Sequence, residues 1–383
     1  MSLQRILTVI SWSGWRDSNS RPLAPKASTL PTEPHPDIPI LSKSDTIWIP
    51  MDISPITIHK KIIDQTLTDY LRKKQGESIN ELQRDLLDKL LSFTISGKSI
   101  RGCLAVFGFL LFSQEKQSQI FDVAAALELL HSGLLIHDDI MDRDEVRRGR
   151  TSIYAQYEEH GVGILARDSK HFGVSMGINA ADFCFFAGFE LLGNSQSDVS
   201  KLISSELMAV VAAQMQDVSA SLTQERLLEA DILSVYRYKT ARYTFSLPLV
   251  VGAKLAGVSE PILSILDRIG ENIGILFQIR DDELNLFGDP AKTGKSIGGD
   301  IREHKQTLLL LYLAQENSTI NLQSLSQEAL TKIYIDRGIQ AKIVEKLSDL
   351  RKSVIDDIAK LPINEENKKL LQTLAEFVQT REN

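Results

Sequence analysis

The run His131 to Thr151, HSGLLIHDDIMDRDEVRRGRT, concentrates groups that could do chemistry. Asp138 and Asp142 are four residues apart and share a face if the segment is helical. With Asp139 they put three carboxylates within little more than one turn. Their mutual repulsion lowers helix stability and calls for a compensating cation. Hard oxygen donors of this kind suit magnesium, which keeps part of its water and completes its shell with phosphate oxygens. His131 lies on the same face, two turns earlier. Arg147 and Arg148 follow, with guanidinium groups suited to forked contacts with phosphate. Taken alone, the pattern is equally well read as a solvated helix end with ordinary ion pairs.

A second cluster shifts that balance. The run Phe277 to Lys305 holds Asp281 and Asp282 at the end of an apolar helical pattern, with Gln278 one turn back. Lys295 and Lys305 follow in a glycine-rich stretch. Two acid clusters, each trailed by cations, could face each other across a cavity and hold a diphosphate through magnesium. Two basic motifs complete the set: SGKSIRG, with Lys98 and Arg101, and YKTARYT, with Lys239 and Thr240. Each alone is more often surface charge.

These residues need helices to position them. Apolar residues recur at three- and four-residue steps from about residue 56 onward, as in Leu67, Tyr70 and Leu71 and in Leu82, Leu86 and Leu90. Strand-like alternation is scarce, and no long repeat stands out. The expected fold is all-α, one large helical bundle around a central apolar cavity. Eight of the twelve prolines fall between Pro22 and Pro55, and all three tryptophans precede Met51. Residues 1–50 are therefore expected to be a separate irregular leader, and 51–383 the helical domain. The string WRDSNSRPLAPKASTLP resembles a transfer-RNA gene translated by mistake, which would make Met51 the natural start. A genuine flexible tail is the alternative.

Bulk composition excludes some classes. Net charge is −7 without a broad basic field, so nucleic acid is not the expected partner. Cys103 and Cys184 are two isolated thiols without metal-type spacing, as in a reduced cytoplasmic protein. The longest unbroken apolar run, Leu104 to Phe112, is too short to span a bilayer, so no stable membrane insertion is expected.

In this order, the motifs DDIMD…RRG, KTA and FQ..DD…GD…TGK…D…K resemble those of the trans-type polyprenyl diphosphate synthases over roughly residues 60–380. The family includes the farnesyl and geranylgeranyl diphosphate synthases. The resemblance implies the isoprenoid synthase fold, a homodimer, and magnesium-dependent joining of isopentenyl diphosphate to an allylic diphosphate. It implies Asp138, Asp142 and Asp281 as principal metal ligands, with Asp139 and Asp282 assisting. Arg147, Lys239 and Lys295 would hold the allylic diphosphate. Lys98, Arg101, His131 and Arg148 would hold isopentenyl diphosphate, and Lys305 is a further substrate-binding cation. Thr240 and Gln278 would lie near the developing carbocation.

The chain departs from the family at three places. Its basic turn is Ser96-Gly97-Lys98-Ser99-Ile100-Arg101-Gly102, Asn285 stands where an aspartate is usual, and Ala181 stands where glycine is frequent. A terpene cyclase shares the first acid motif but needs no second diphosphate site. A non-catalytic partner subunit would be expected to have lost acids that this chain keeps. For product length, Gly133 and Leu134 form the expected first wall below the acids, and Gly133, with no side chain, is expected to leave that level open. Leu130, Phe185 and Phe186 lie deeper, a balance that favours a twenty-carbon product. Close helix packing is the competing role for Gly133.

Overall fold

In the computed structural model, the structure describes residues 53–113, 119–164, 168–193, 195–223, 227–288, 298–302, 305–316 and 325–381. The expected leader, residues 1–50, lies outside these, as does Lys295.

The helices in chain order are α1 (Ser54–Thr57), α2 (Lys60–Gly76), α3 (Glu81–Ile95), α4 (Ile100–Leu110), α5 (Gln119–Asp142), α6 (Ile153–Ile164), α7 (Ser169–Leu192) and α8 (Ser197–Thr223). There follow α9 (Glu229–Val235), a π-helical segment (Tyr236–Ser246), α10 (Leu247–Leu255), α11 (Glu260–Phe287) and α12 (Gly299–Arg302). The last are α13 (Leu308–Glu316), α14 (Gln327–Asp336), α15 (Ile339–Ala359) and α16 (Glu365–Thr380). Among the described residues the only strands are the two-residue pair β1 (Val146–Arg147) and β2 (Arg150–Thr151), antiparallel to each other. The expected all-α architecture is the observed one.

Local chemistry sets many boundaries. Asn80 caps α3 by accepting the Gln83 N–H, and Asp168 caps α7 by accepting that of His171. Pro261 stands in the first turn of α11, after the extended Ser259, where a missing N–H costs nothing. The helix α5 packs on α7 and α4, and α11 lies along the π-helical segment with α15 and α16 on its flank. The core is apolar and nearly dry at Leu127, Leu129, Leu130, Ile269, Ile273 and Leu276, all fully buried.

Two helices, Gln119–Asp142 and Ser169–Leu192, are long and apolar enough to cross a membrane by length and composition. The bent pair Glu81–Ile95 with Ile100–Leu110 passes the same test jointly. Counting only an unbroken apolar run overlooks them, because Glu128, His131 and scattered Ser and Gly interrupt the run without lowering the mean hydropathy enough. Within the bundle the apolar stretch of Gln119–Asp142 is 67% buried, whereas that of Ser169–Leu192 is 39% buried.

The π-helical segment carries Lys239 and Thr240, and its wide turn depends on a close approach to α11. A Cβ at Gly274 would stand 2.3 Å from Ala241 Cα, and one at Gly270 would stand 2.4 Å from Ser246 Cα. Both obstacles are backbone, which cannot rotate aside. Gly274→Ala is therefore expected to destabilise the fold by roughly 1–3 kcal/mol, the scale of core overpacking. Thermal or urea unfolding checks this, and an unchanged midpoint would contradict it.

Candidate active site

The first acid motif fills the last turn of α5 and has no basic residue there to offset it. Exposed carbonyls at a helix C-terminus already present negative charge, so carboxylates are doubly disfavoured at that position. The compensation comes from other elements. Lys239 Nζ is 3.9 Å from Asp138 Oδ1 and 2.5 Å from Asp217 of α8. Lys305 Nζ is 3.7 Å from Asp142 Oδ2. Gln214, one turn before Asp217, donates its amide to Asp138 at 3.1 Å.

Asp139 points elsewhere. It is fully buried and held by Arg147, whose Nε donates to Oδ1 at 2.5 Å. Burial pushes its carboxyl up to about 6 despite that guanidinium. Arg147 is also 3.0 Å from Asp144 and 3.6 Å from Asp138. Asp139 is thus engaged with the hairpin. Neighbours on a helix are about 100° apart, so Asp139 faces the protein when Asp138 and Asp142 face out.

The second motif repeats the division. Asp281 accepts from Arg381 Nη2 at 2.5 Å, and the Arg381 guanidinium also lies 3.7 Å from the centre of the Phe277 ring. Asp282 is buried and bound by the Tyr236 hydroxyl and by the Gln278 amide at 2.9 Å. Desolvation, with the charge of Asp300 nearby, raises its carboxyl well above the usual carboxylate range. Tyr236 in turn accepts the Leu308 N–H at 2.9 Å and so ties in the start of α13. Asp282 thus braces the scaffold, and the Gln278 amide is engaged with it.

A separate cationic group gathers around α4 and the hairpin. Arg148 and Gly149 both have positive φ, 54° and 71°, as a two-residue hairpin turn demands. The turn sends Arg147 toward the acids and Arg148 toward the Phe93 carbonyl, 3.2 Å away. A Cβ at Gly97 would meet the Arg148 guanidinium at 2.8 Å, so a larger residue would push Arg148 aside. Arg101 donates to Thr244 Oγ1 at 2.6 Å and lies over the Tyr243 ring at 4.7 Å. Burial and the nearby charges of Arg101, Arg148 and Arg147 hold His131 well below its usual range, so it is neutral. Lys98 is exposed on the same turn, where Ser99 takes a left-handed conformation with φ 50°. Thr240 is half-buried in the π-helical segment.

Several of these partners escape motif reading. Gln214, Asp217, Tyr236 and Arg381 come from remote elements, and Glu128 looks like one polar residue in an apolar helix. Glu128 is buried and accepts the Gly102 N–H at 2.8 Å, an amide that a proline at position 102 would lack. The spacing of Gln214 and Asp217, three apart on one face of α8, is the one signal that could have flagged them.

The residues expected to set product length divide. A Cβ at Gly133 would meet Ala181 O and Phe185 Cε1, each at 3.0 Å, so Gly133 admits α7 and leaves no open gap. Leu130 is fully buried and packs where Gly188 lacks a side chain. Phe186 is 73% exposed among the described residues. Phe185 is half-buried, and its ring centre lies 5.5 Å from that of His137. Leu134, also half-buried, sits one turn before Asp138 on the same face.

The geometry separates Asp138 from Asp139. Asp139→Asn is expected to lower kcat/KM roughly 10- to 100-fold, the scale of one charge-assisted hydrogen bond of about 1.5–3 kcal/mol. Manganese binding in the presence of diphosphate should survive in this variant and be lost in Asp138→Asn. Paramagnetic resonance of manganese reads the difference, and equal loss in both variants would contradict the assignment.

Residues 84–347 match the model of the polyprenyl synthetase family. The chain is 27% identical over 338 residues to the short chain isoprenyl diphosphate synthase of Methanocaldococcus jannaschii, covering 83% of this chain and 93% of that protein. It is 30% identical over 298 residues to the geranylfarnesyl diphosphate synthase of Aeropyrum pernix, covering 74% and 90% respectively. Among solved structures it is similar to geranylgeranyl pyrophosphate synthase from Corynebacterium glutamicum complexed with isoprenyl diphosphate and magnesium. The TM-score is 0.76 and the identity 30%, with 86% of this chain and 99% of that one covered. With both acid motifs and two sets of cations in place, the chain belongs to the polyprenyl synthetase family and is a prenyl diphosphate synthase.

Proposed function

We propose that the chain joins isopentenyl diphosphate to an allylic diphosphate with magnesium and releases mainly geranylgeranyl diphosphate. The observation that carries this reading is the presence of two distinct cation sets. Lys239, Lys305, Arg381 and Arg147 attend the acids Asp138, Asp142, Asp281 and Asp139. Arg101 and Arg148 form the other set, beside neutral His131, and Lys98 stands exposed on the turn before α4. One set serves the allylic diphosphate and the other isopentenyl diphosphate. A terpene cyclase has no use for the second set.

The donor chemistry fits magnesium. Among the described residues no three acid, histidine or cysteine side chains converge into a closed metal cage. Magnesium rarely asks for one, since one or two carboxylates, water and substrate phosphate suffice. Asp138, Asp142 and Asp281 would hold it, and when bound it would neutralise charge growing on the leaving diphosphate. The lysines and arginines now on the acids would turn to phosphate oxygens. Apolar walls at Leu134 and Phe185 would keep water from the allylic cation.

Names among the similar proteins include geranylgeranyl, geranylfarnesyl and farnesyl diphosphate synthases. The twenty-carbon assignment rests on Leu134, which presents no aromatic ring on the Asp138 face. Exposed Phe186 and Phe189 on α7, and exposed Met208, Val211 and Met215 on α8, are apolar surface of the kind a homodimer would cover. Two buried free thiols, Cys103 and Cys184, support a reducing, cytoplasmic setting.

Isopentenyl diphosphate, labelled allylic primers and magnesium, with product length read directly, test the reading. Turnover should stop with chelator and return with magnesium. Asp138→Ala should cost several orders of magnitude in turnover. Lys98→Ala should mainly raise the KM for isopentenyl diphosphate, and Leu134→Phe should shift product toward fifteen carbons. A cyclised hydrocarbon product would support the cyclase instead, and no turnover at all would favour a partner subunit.

A further inference from the structure

Asn285 lies four residues after Asp281, where an aspartate is usual, and its amide oxygen is already engaged. Oδ1 accepts the Asp300 N–H at 3.1 Å, and its main-chain oxygen accepts the Gly298 N–H at 2.9 Å. Both bonds fix the start of α12, where Gly298 takes φ 72°. The Asp300 carbonyl then accepts the Lys305 N–H at 2.9 Å, and Lys305 Nζ reaches to 3.7 Å from Asp142. A continuous run of contacts therefore leads from the second acid motif to the first.

The neighbourhood explains why an amide serves better than a carboxylate. Asp281 and Asp300 both act electrostatically on buried Asp282. A further carboxylate at position 285 would add repulsion to three acids already close together. An amide oxygen accepts the same N–H without charge.

We propose that Asn285 is a positioning residue, tying Gly298–Arg302 to the second acid motif through a neutral hydrogen bond and thereby setting Lys305 beside Asp142. The consequence for turnover rests on the prenyl-transfer reading above. The tether itself does not.

Hydrogen exchange of the Asp300 and Lys305 amides in the full chain tests the tether directly, in wild type, Asn285→Ala and Asn285→Asp. Asn285→Ala should exchange about tenfold faster at Asp300, as expected for loss of one hydrogen bond. Asn285→Asp retains an acceptor but adds a charge beside Asp281, Asp282 and Asp300, so it should restore protection only in part. Steady-state kinetics of the same proteins should show kcat/KM for the allylic diphosphate about tenfold lower in Asn285→Ala, with Asn285→Asp lying between Asn285→Ala and wild type. Unchanged exchange in Asn285→Ala, or equally fast exchange in Asn285→Asp, would overturn the tether. Faster exchange with unchanged kcat/KM would overturn the link to Lys305. A wild-type chain without prenyl transfer would refute the proposed function and leave exchange to decide the tether.

Discussion

Carboxylates brought together at low dielectric must be neutralised, and the rest of this site is arranged around that requirement. Asp138, Asp139 and Asp142 repel one another in the last turn of α5, where the helix end adds negative potential. Asp281, Asp282 and Asp300 repeat the problem beside the end of α11. The described side chains meet the demand with cations from separate elements: Lys239 from the π-helical segment, Lys305 after α12, Arg147 from the hairpin and Arg381 after α16. Each cation is held less by its own element than by the acid it faces. Such pairs offset part of their own desolvation cost, so they add little stability but fix where charge can move.

Both motifs also divide labour in the same way. The first acid of each pair is half-buried and faces a cation from another element, and the second is buried in the scaffold. Asp139 anchors Arg147, and Asp282 anchors Tyr236 and through it Leu308. Adjacent helical residues cannot share a face, so a paired-acid motif turns one carboxylate outward and keeps one as a brace in a single turn. The brace is what makes the outward carboxylate's position reproducible. Burial that leaves Asp282 reluctant to ionise is compatible with this role, since a neutral carboxyl can still bind Tyr236 and Gln278.

The two acid motifs were legible because their spacing is local: four residues on a helix define a face whatever else the chain does. The fold class was legible from the same periodicity. What could not be read lay across the bundle. Arg381 is 100 residues from Asp281, and nothing in its flanking sequence marks it. The wide π-helical turn depends on Gly270 and Gly274 of another helix. Phe185 and Phe186 look equivalent in sequence, yet one meets Gly133 and the other meets solvent. Gly133 reads as an opening until α7 fills it. Asn285 reads as a weakened acid until the Asp300 amide shows what its oxygen binds.

If the cations hold the acids only until a diphosphate takes their place, metal and diphosphate must bind cooperatively. Calorimetric titration of magnesium into the chain, with and without an unreactive allylic diphosphate analogue, measures that coupling directly. The account predicts weak magnesium binding alone and affinity about tenfold or more tighter with the analogue, within the usual range of coupling between sites. Equal magnesium affinity in both titrations would contradict it, because the acids would then be open to metal whether or not their cations had left.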